Sequence, residues 1–174
     1  MSTADASRPK PWPGPRPGPS QAGPSVEVAD EQGAVVVDVD HLAALAEAVL
    51  IDRGVRAGIL SLGFVDQDTM ADLNERFLGG AGPTDVLAFP LDAGMSAEAH
   101  GDMPVLLGDV VVCPAVAEGN AGARSVSTDE ELALLVVHGV LHVLGMDHAE
   151  PDEAVAMQGL ERHLLARLHR RDGP

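Results

Sequence analysis

The sequence predicts an α+β fold: a small mixed sheet packed with helices around a central histidine-bearing helix, in a single domain. Three observations carry this. Strand-like and helix-like segments follow one another without the regular alternation of a doubly wound parallel sheet. Residues 132–144 are apolar nearly all round, which puts a helix in the middle of a molecule. The chain's 174 residues are 45% apolar, enough for one proper core, and no internal repeat divides them. With three Phe, one Trp and no Tyr, that core must be built from Leu, Val, Ala and Met.

Residues 1–24 include PKPWPGPRPGPSQAGP, too rich in Pro and Gly for a packed element. They are expected to form a disordered tail, with Trp12 incidental, and the folded domain to span 25–171. In residues 25–29, Val26 and Val28 alternate with polar neighbours, as in a strand. Asp38 or Asp40 caps a helix running to about Arg53, with Leu42, Ala46, Val49 and Leu50 as its buried stripe and Gly54 as its stop. His41, in its first turn, reads as a surface residue. Residues 57–65 form a strand with Leu60, Leu62 and Phe64 on one face. Asp66 or Asp68 caps the next helix, where Met70, Leu73 and Phe77 recur at helical spacing. The glycines of residues 79–83 break it. A short strand at 86–89 ends at Pro90, and 92–105 is an irregular loop holding His100. Residues 106–113 read as a strand interrupted by Gly108 and Asp109. Pro114 opens a short helix to about Ala123. Ser127 and Glu130 make a capping-box pattern, and the histidine helix runs from there to Leu144. Pro151 and Asp152 start a last helix, whose apolar positions are Val155, Met157, Leu160, Leu164, Leu165 and Leu168.

The net charge is −16, and −18 without the tail, with eight basic against 26 acidic side chains. So acidic a chain excludes indiscriminate nucleic-acid binding, which uses basic surfaces. Any work on nucleic acid must run through a local patch, a metal ion or a partner protein. Cys113 is the only cysteine, so no internal disulfide forms and nothing points to an oxidising compartment. The N-terminus lacks the apolar core of a signal peptide, and the run at 132–144 is too short to span a bilayer. The expectation is a soluble cytoplasmic protein that works away from membranes and DNA.

Chemistry concentrates in residues 138–148, HGVLHVLGMDH. Residues four apart on a helix stand one above the other, so His138 and His142 face one point. Gly145 is the residue best suited to end that helix in a left-handed conformation. His148, three residues on, then swings back. Three imidazoles plus one solvent molecule make the open four-coordinate site of a catalytic zinc, one ion per chain. Burying three imidazoles without an ion leaves ring nitrogens seeking partners. The spacing is similar to the zinc-peptidase pattern H-E-x-x-H-x-x-G-x-x-H, which makes the expected domain zincin-like. Gly139, however, stands where the peptidase carries its general base, so peptidase chemistry of that kind is disfavoured.

The same eleven residues resemble the H-G-x-L-H-L-x-G-x-D-H signature of the YbeY family, the bacterial rRNA-maturation endoribonucleases. Two further stretches agree in order and spacing. GPTDVLAFP at 82–90 resembles the family's P-T-[DN]-V-L-S-F-P segment, and LLGDVVVCP at 106–114 its L-G-D-[IV]-x-[IL]-C strand. The likeness covers roughly residues 25–170. It implies a zinc-dependent, single-strand-specific endoribonuclease acting in 16S rRNA 3′-end maturation and ribosome quality control. Its partners are then single-stranded RNA, 16S rRNA, and the small ribosomal subunit with its proteins. The family's three metal ligands carry over to His138, His142 and His148. The family also carries an arginine before P-T-[DN] that contacts RNA. Here Leu78 holds the aligned place, and Arg76, two residues earlier, is the candidate to supply the guanidinium.

Zinc lowers the pKa of a coordinated water to about 7 and acts as a Lewis acid on a phosphoryl oxygen. An arginine beside it stabilises charge building on the non-bridging oxygens. The expected catalytic set is therefore Arg76, His138, His142 and His148, with either water or the ribose 2′-hydroxyl as nucleophile. Asp147 either orients a ligand imidazole or caps the turn. Asp109 either faces the site or holds a bend in an edge strand, the plainer assignment. Thr84 and Asp85 shape a turn. Arg162, His163, Arg167, His169, Arg170 and Arg171 form the one dense basic patch, suited to a helix C-terminus, to RNA or to an acidic partner. Two other functions stand beside the ribonuclease: a zinc peptidase-like hydrolase with a recruited base, and a ribosome-assembly binding protein whose zinc is structural.

Overall fold

The computed structural model describes residues 23–91 and 105–169. The tail up to residue 22, His100 and its loop at 92–104, Arg170 and Arg171 lie outside the described residues. Four strands and five helices follow in the order β1 (Pro24–Asp30), α1 (Val39–Asp52), β2 (Gly58–Phe64), α2 (Gln67–Leu78), β3 (Val86–Pro90), β4 (Leu106–Val112), α3 (Pro114–Arg124), α4 (Thr128–Val143) and α5 (Pro151–Leu168). The sheet runs β1-β2-β4-β3. Its first three members are parallel and β3 lies antiparallel to β4. This is the expected α+β architecture with a mixed sheet.

Local sequence explains the element ends. Asp38, not Asp40, caps α1 by accepting the His41 amide at 3.1 Å, and Asp66, not Asp68, caps α2 by accepting the Thr69 amide at 2.8 Å. Ser127 and Glu130 complete both halves of the capping box at the start of α4. At its far end the Met146 amide donates to the Leu141 carbonyl and the Gly145 amide to the His142 carbonyl, both at 3.0 Å. That pair of bonds, with Gly145 at φ +93°, is a Schellman closure, which turns the chain sharply after the second histidine.

Alternation along the strands sorts side chains onto two faces. Leu60, Leu62 and Phe64 of β2 and Val110 and Val112 of β4 form the larger core with α1, α4 and α5. Val111 and Leu87 point the other way, against Met70 of α2. Helix α4 is buried over most of its circumference, as its composition predicts, and it lies hard against β4. A Cβ on Gly139 would come within 2.5 Å of Val110 Cγ1. The glycine after the first histidine is thus the residue that lets α4 seat on the sheet.

Several expectations need correction. Strand β4 is not interrupted at Gly108 and Asp109. It continues through them, with a register shift opposite Ile59 and Leu60. Nor is it an edge strand, since it pairs with β2 and β3 at once. Val155 is 67% exposed, because the buried stripe of α5 is Met157, Glu161 and Leu164, spaced by four and three residues. Finally, His41 is half-buried, with its Nε2 2.9 Å from Nδ1 of His169 at the end of α5.

Candidate metal centre

The Schellman closure brings His148 back over the end of α4. His138, His142 and His148 each offer a ring nitrogen, and these atoms all lie within 4.8 Å of one another. The Nε2 atoms of His138 and His142 are 3.1 Å apart. Ligand atoms at zinc-like bond lengths around a tetrahedral ion stand about 3.3 Å apart, so the first two rings are already set near that spacing. His148 lies with its ring centroid 4.9 Å from that of His142 and 5.6 Å from that of His138. The first two histidines are half-buried in the helix and the third is exposed on the turn, which leaves one side open to solvent. The three residues can hold a metal ion.

Burial, and then the neighbouring rings of His138 and His148, push the His142 imidazole below its ordinary pKa of 6.5; the Asp147 carboxylate works weakly the other way. A depressed pKa keeps that ring neutral, the form in which imidazole binds metal. Asp147 itself caps the turn, its Oδ1 accepting the His148 amide at 2.7 Å.

Sequence reasoning missed one residue at the centre. Glu161 of α5 is only 6% exposed, and its Oε1 lies 2.5 Å from Nδ1 of His138. The available signal was a carboxylate in the middle of the apolar stripe of α5, between Met157 and Leu164.

Arg76 is in the last turn of α2, half-exposed and ion-paired with Asp72 at 3.2 Å. Helix α2 packs on the sheet face opposite α4. Leu78 is exposed at the end of α2. Asp109 pairs across the sheet with Ser61 and Phe89, and so shares the face of Phe89 rather than that of α4. Burial raises its pKa above 3.8, partly offset by a hydrogen bond to Ser61. Asp85 does shape its turn: its carboxylate accepts from the Val86 amide at 2.8 Å and from Asn120 Nδ2 at 3.2 Å. On α5, Arg167 is paired with Asp52 at 2.7 Å, while Arg162 and His163 are exposed.

The family model described as Endoribonuclease YbeY matches residues 27–169. A protein of Salinispora tropica named Endoribonuclease YbeY is 50% identical over 149 residues, covering 82% of this chain and 94% of its own. One of the same name from Beutenbergia cavernae is 49% identical, covering 81% of this chain and 95% of its own. The solution structure of TM1509 from Thermotoga maritima superposes with a TM-score of 0.54 at 23% identity, covering 84% of this chain and 97% of that one. That likeness is one of fold. The matched family model and the close relatives together establish that this chain belongs to the YbeY endoribonuclease family.

Proposed function

We propose that this protein is a zinc-dependent endoribonuclease that cuts single-stranded RNA, acting in the cytoplasm on 16S rRNA 3′-end maturation and in ribosome quality control. The observation that carries the reading is the convergence of His138, His142 and His148 on one point, in a chain half identical to proteins named endoribonucleases. His138, His142 and His148 hold the ion. When bound, zinc supplies Lewis acidity toward a phosphoryl oxygen and lowers the pKa of water at its open position.

The chain's own residues supply the rest. The Nδ1–Glu161 contact leaves Nε2 of His138 as the ligand atom. Arg76, in the last turn of α2, contributes an RNA contact, exchanging its exposed bond to Asp72 for a phosphate of the strand. With a net charge of −16, the protein reaches the small ribosomal subunit through protein partners more than through its general field. The structure also weakens the peptidase alternative. Position 139 faces Val110 of the sheet and has no room for a carboxylate. Glu161 approaches His138 on Nδ1, the nitrogen that does not face His142.

Metal analysis of the purified protein, with cleavage assays on single-stranded RNA and on casein, tests the reading against a His138→Ala/His142→Ala control. RNA cleavage lost in the control supports it. Casein cleavage lost in the control marks a peptidase. Bound zinc with neither activity marks an assembly protein with a structural metal. Arg76→Ala is expected to lower RNA cleavage at least tenfold and leave stability within about 0.5 kcal/mol, because its ion pair with Asp72 is an exposed one on the same helix.

A further inference from the structure

Among the described residues, two charged side chains are buried, Glu131 and Glu161. Glu131 answers to a fixed cation, with Arg124 Nη1 at 2.7 Å. Glu161 has no such partner. It occupies the centre of an apolar stripe, one turn from Met157 and one from Leu164, where a leucine would satisfy the packing better than a carboxylate. What it meets instead is Nδ1 of His138.

That contact has a chemical consequence. With the carboxylate of Glu161 as the acceptor, Nδ1 of His138 is the donor of this bond. In a neutral imidazole the lone pair then falls on Nε2. Nε2 is the atom of His138 that stands 3.1 Å from Nε2 of His142, on the side where the rings converge. The same bond fixes rotation of the ring, because α5 holds the carboxylate from a second helix. We infer that Glu161 is the positioning residue of the metal centre: it sets the tautomer and orientation of His138, and through them the affinity for the ion. The inference rests on the reading of the three histidines as metal ligands. Glu161 acts through His138, the ring its carboxylate meets.

The test measures zinc affinity of the full-length protein by competition with a chromophoric chelator, alongside urea unfolding of the metal-free form. Two variants are used. Glu161→Leu removes the acceptor and suits the apolar stripe. Glu161→Gln keeps the shape and an accepting oxygen. Glu161→Leu is expected to bind zinc 10- to 100-fold more weakly, the range found when such outer partners of ligand histidines are removed. Its unfolding midpoint stays at or above that of the parent. Glu161→Gln falls between the two in affinity. A long-range proton–nitrogen spectrum of the metal-free parent is expected to place the His138 proton on Nδ1, a preference lost in Glu161→Leu.

Wild-type zinc affinity in Glu161→Leu overturns the inference, as does a proton found on Nε2 of His138 in the parent. An affinity loss matched by an equal loss of folding stability in both variants also overturns it, since that describes a merely structural residue. If Glu161→Leu does not fold, parental affinity in Glu161→Gln overturns it and a loss of twofold or more supports it. Failure of the parent itself to bind zinc refutes the reading of the triad and is seen in the same titration.

Discussion

Gly139→Ala should destabilise the protein although it replaces a mid-helix glycine with the best helix former. The added Cβ would stand 2.5, 3.2 and 3.4 Å from Cγ1, Cγ2 and Cβ of Val110. Ordinary carbon contacts are about 3.5–4.0 Å, so relief requires α4 and β4 to separate by roughly 1 Å. Val110 is fully buried and β-branched, so its methyls have little freedom to turn aside. Overpacking of this kind costs about 1–3 kcal/mol, and helix propensity returns about 1. A net loss of about 1 kcal/mol is expected by urea unfolding of the metal-free protein. The stronger test is the same substitution in a Val110→Ala background, which deletes both offending methyls. There the sign should reverse, with Gly139→Ala stabilising by up to about 1 kcal/mol. An equal effect in both backgrounds, or a gain in the parent, would refute the claim that this glycine exists to seat the helix.

Three further outcomes follow from the buried and titrating groups. Arg124→Ala strands the buried carboxylate of Glu131 and should cost about 1–3 kcal/mol, kept modest because the arginine is half-exposed; Glu131→Gln should cost less. Burial raises the Asp109 pKa, so the native state holds that proton more tightly than the unfolded chain, and this group's contribution to stability declines as pH rises through 3.8. Asp109→Asn should therefore gain on the parent in urea midpoint across that range, the advantage levelling off above the raised pKa. For His142 the native pKa lies below 6.5, so the unfolded chain takes up the proton first. Metal-free protein should lose stability as pH falls through 6.5 until the lowered native value is passed, and His142→Asn should flatten that slope.

What a sequence discloses about this molecule is what lies close along the chain. The strands, the caps of α2 and α4 and the turn at Gly145 all depend on neighbours within a few residues. So does the histidine cluster, whose spacing is that of one helix and its exit. Contacts between distant segments were hidden. Glu161 meets His138 from 23 positions away and on another helix, and a charged residue in an apolar stripe carries no mark of its partner. His41 and His169 are 128 positions apart, and nothing local distinguishes that pairing from two surface histidines. The interior place of β4 is likewise a matter of strand order, which alternation along one strand cannot express. Arg76 stands two residues before the family's arginine position, but closeness along the chain does not direct a side chain, and this one is bound to Asp72 on its own helix.

His138 and His142 belong to one helix, which alone sets their spacing, and His148 follows on the bend that closes it. Glu161 is the exception, arriving from a separate rod packed alongside. Slippage of α5 along α4 is accordingly the motion to which the centre is most sensitive. A lesion far away on α5, such as loss of the Arg167–Asp52 bridge that ties it to α1, has a mechanical route to the imidazole of His138.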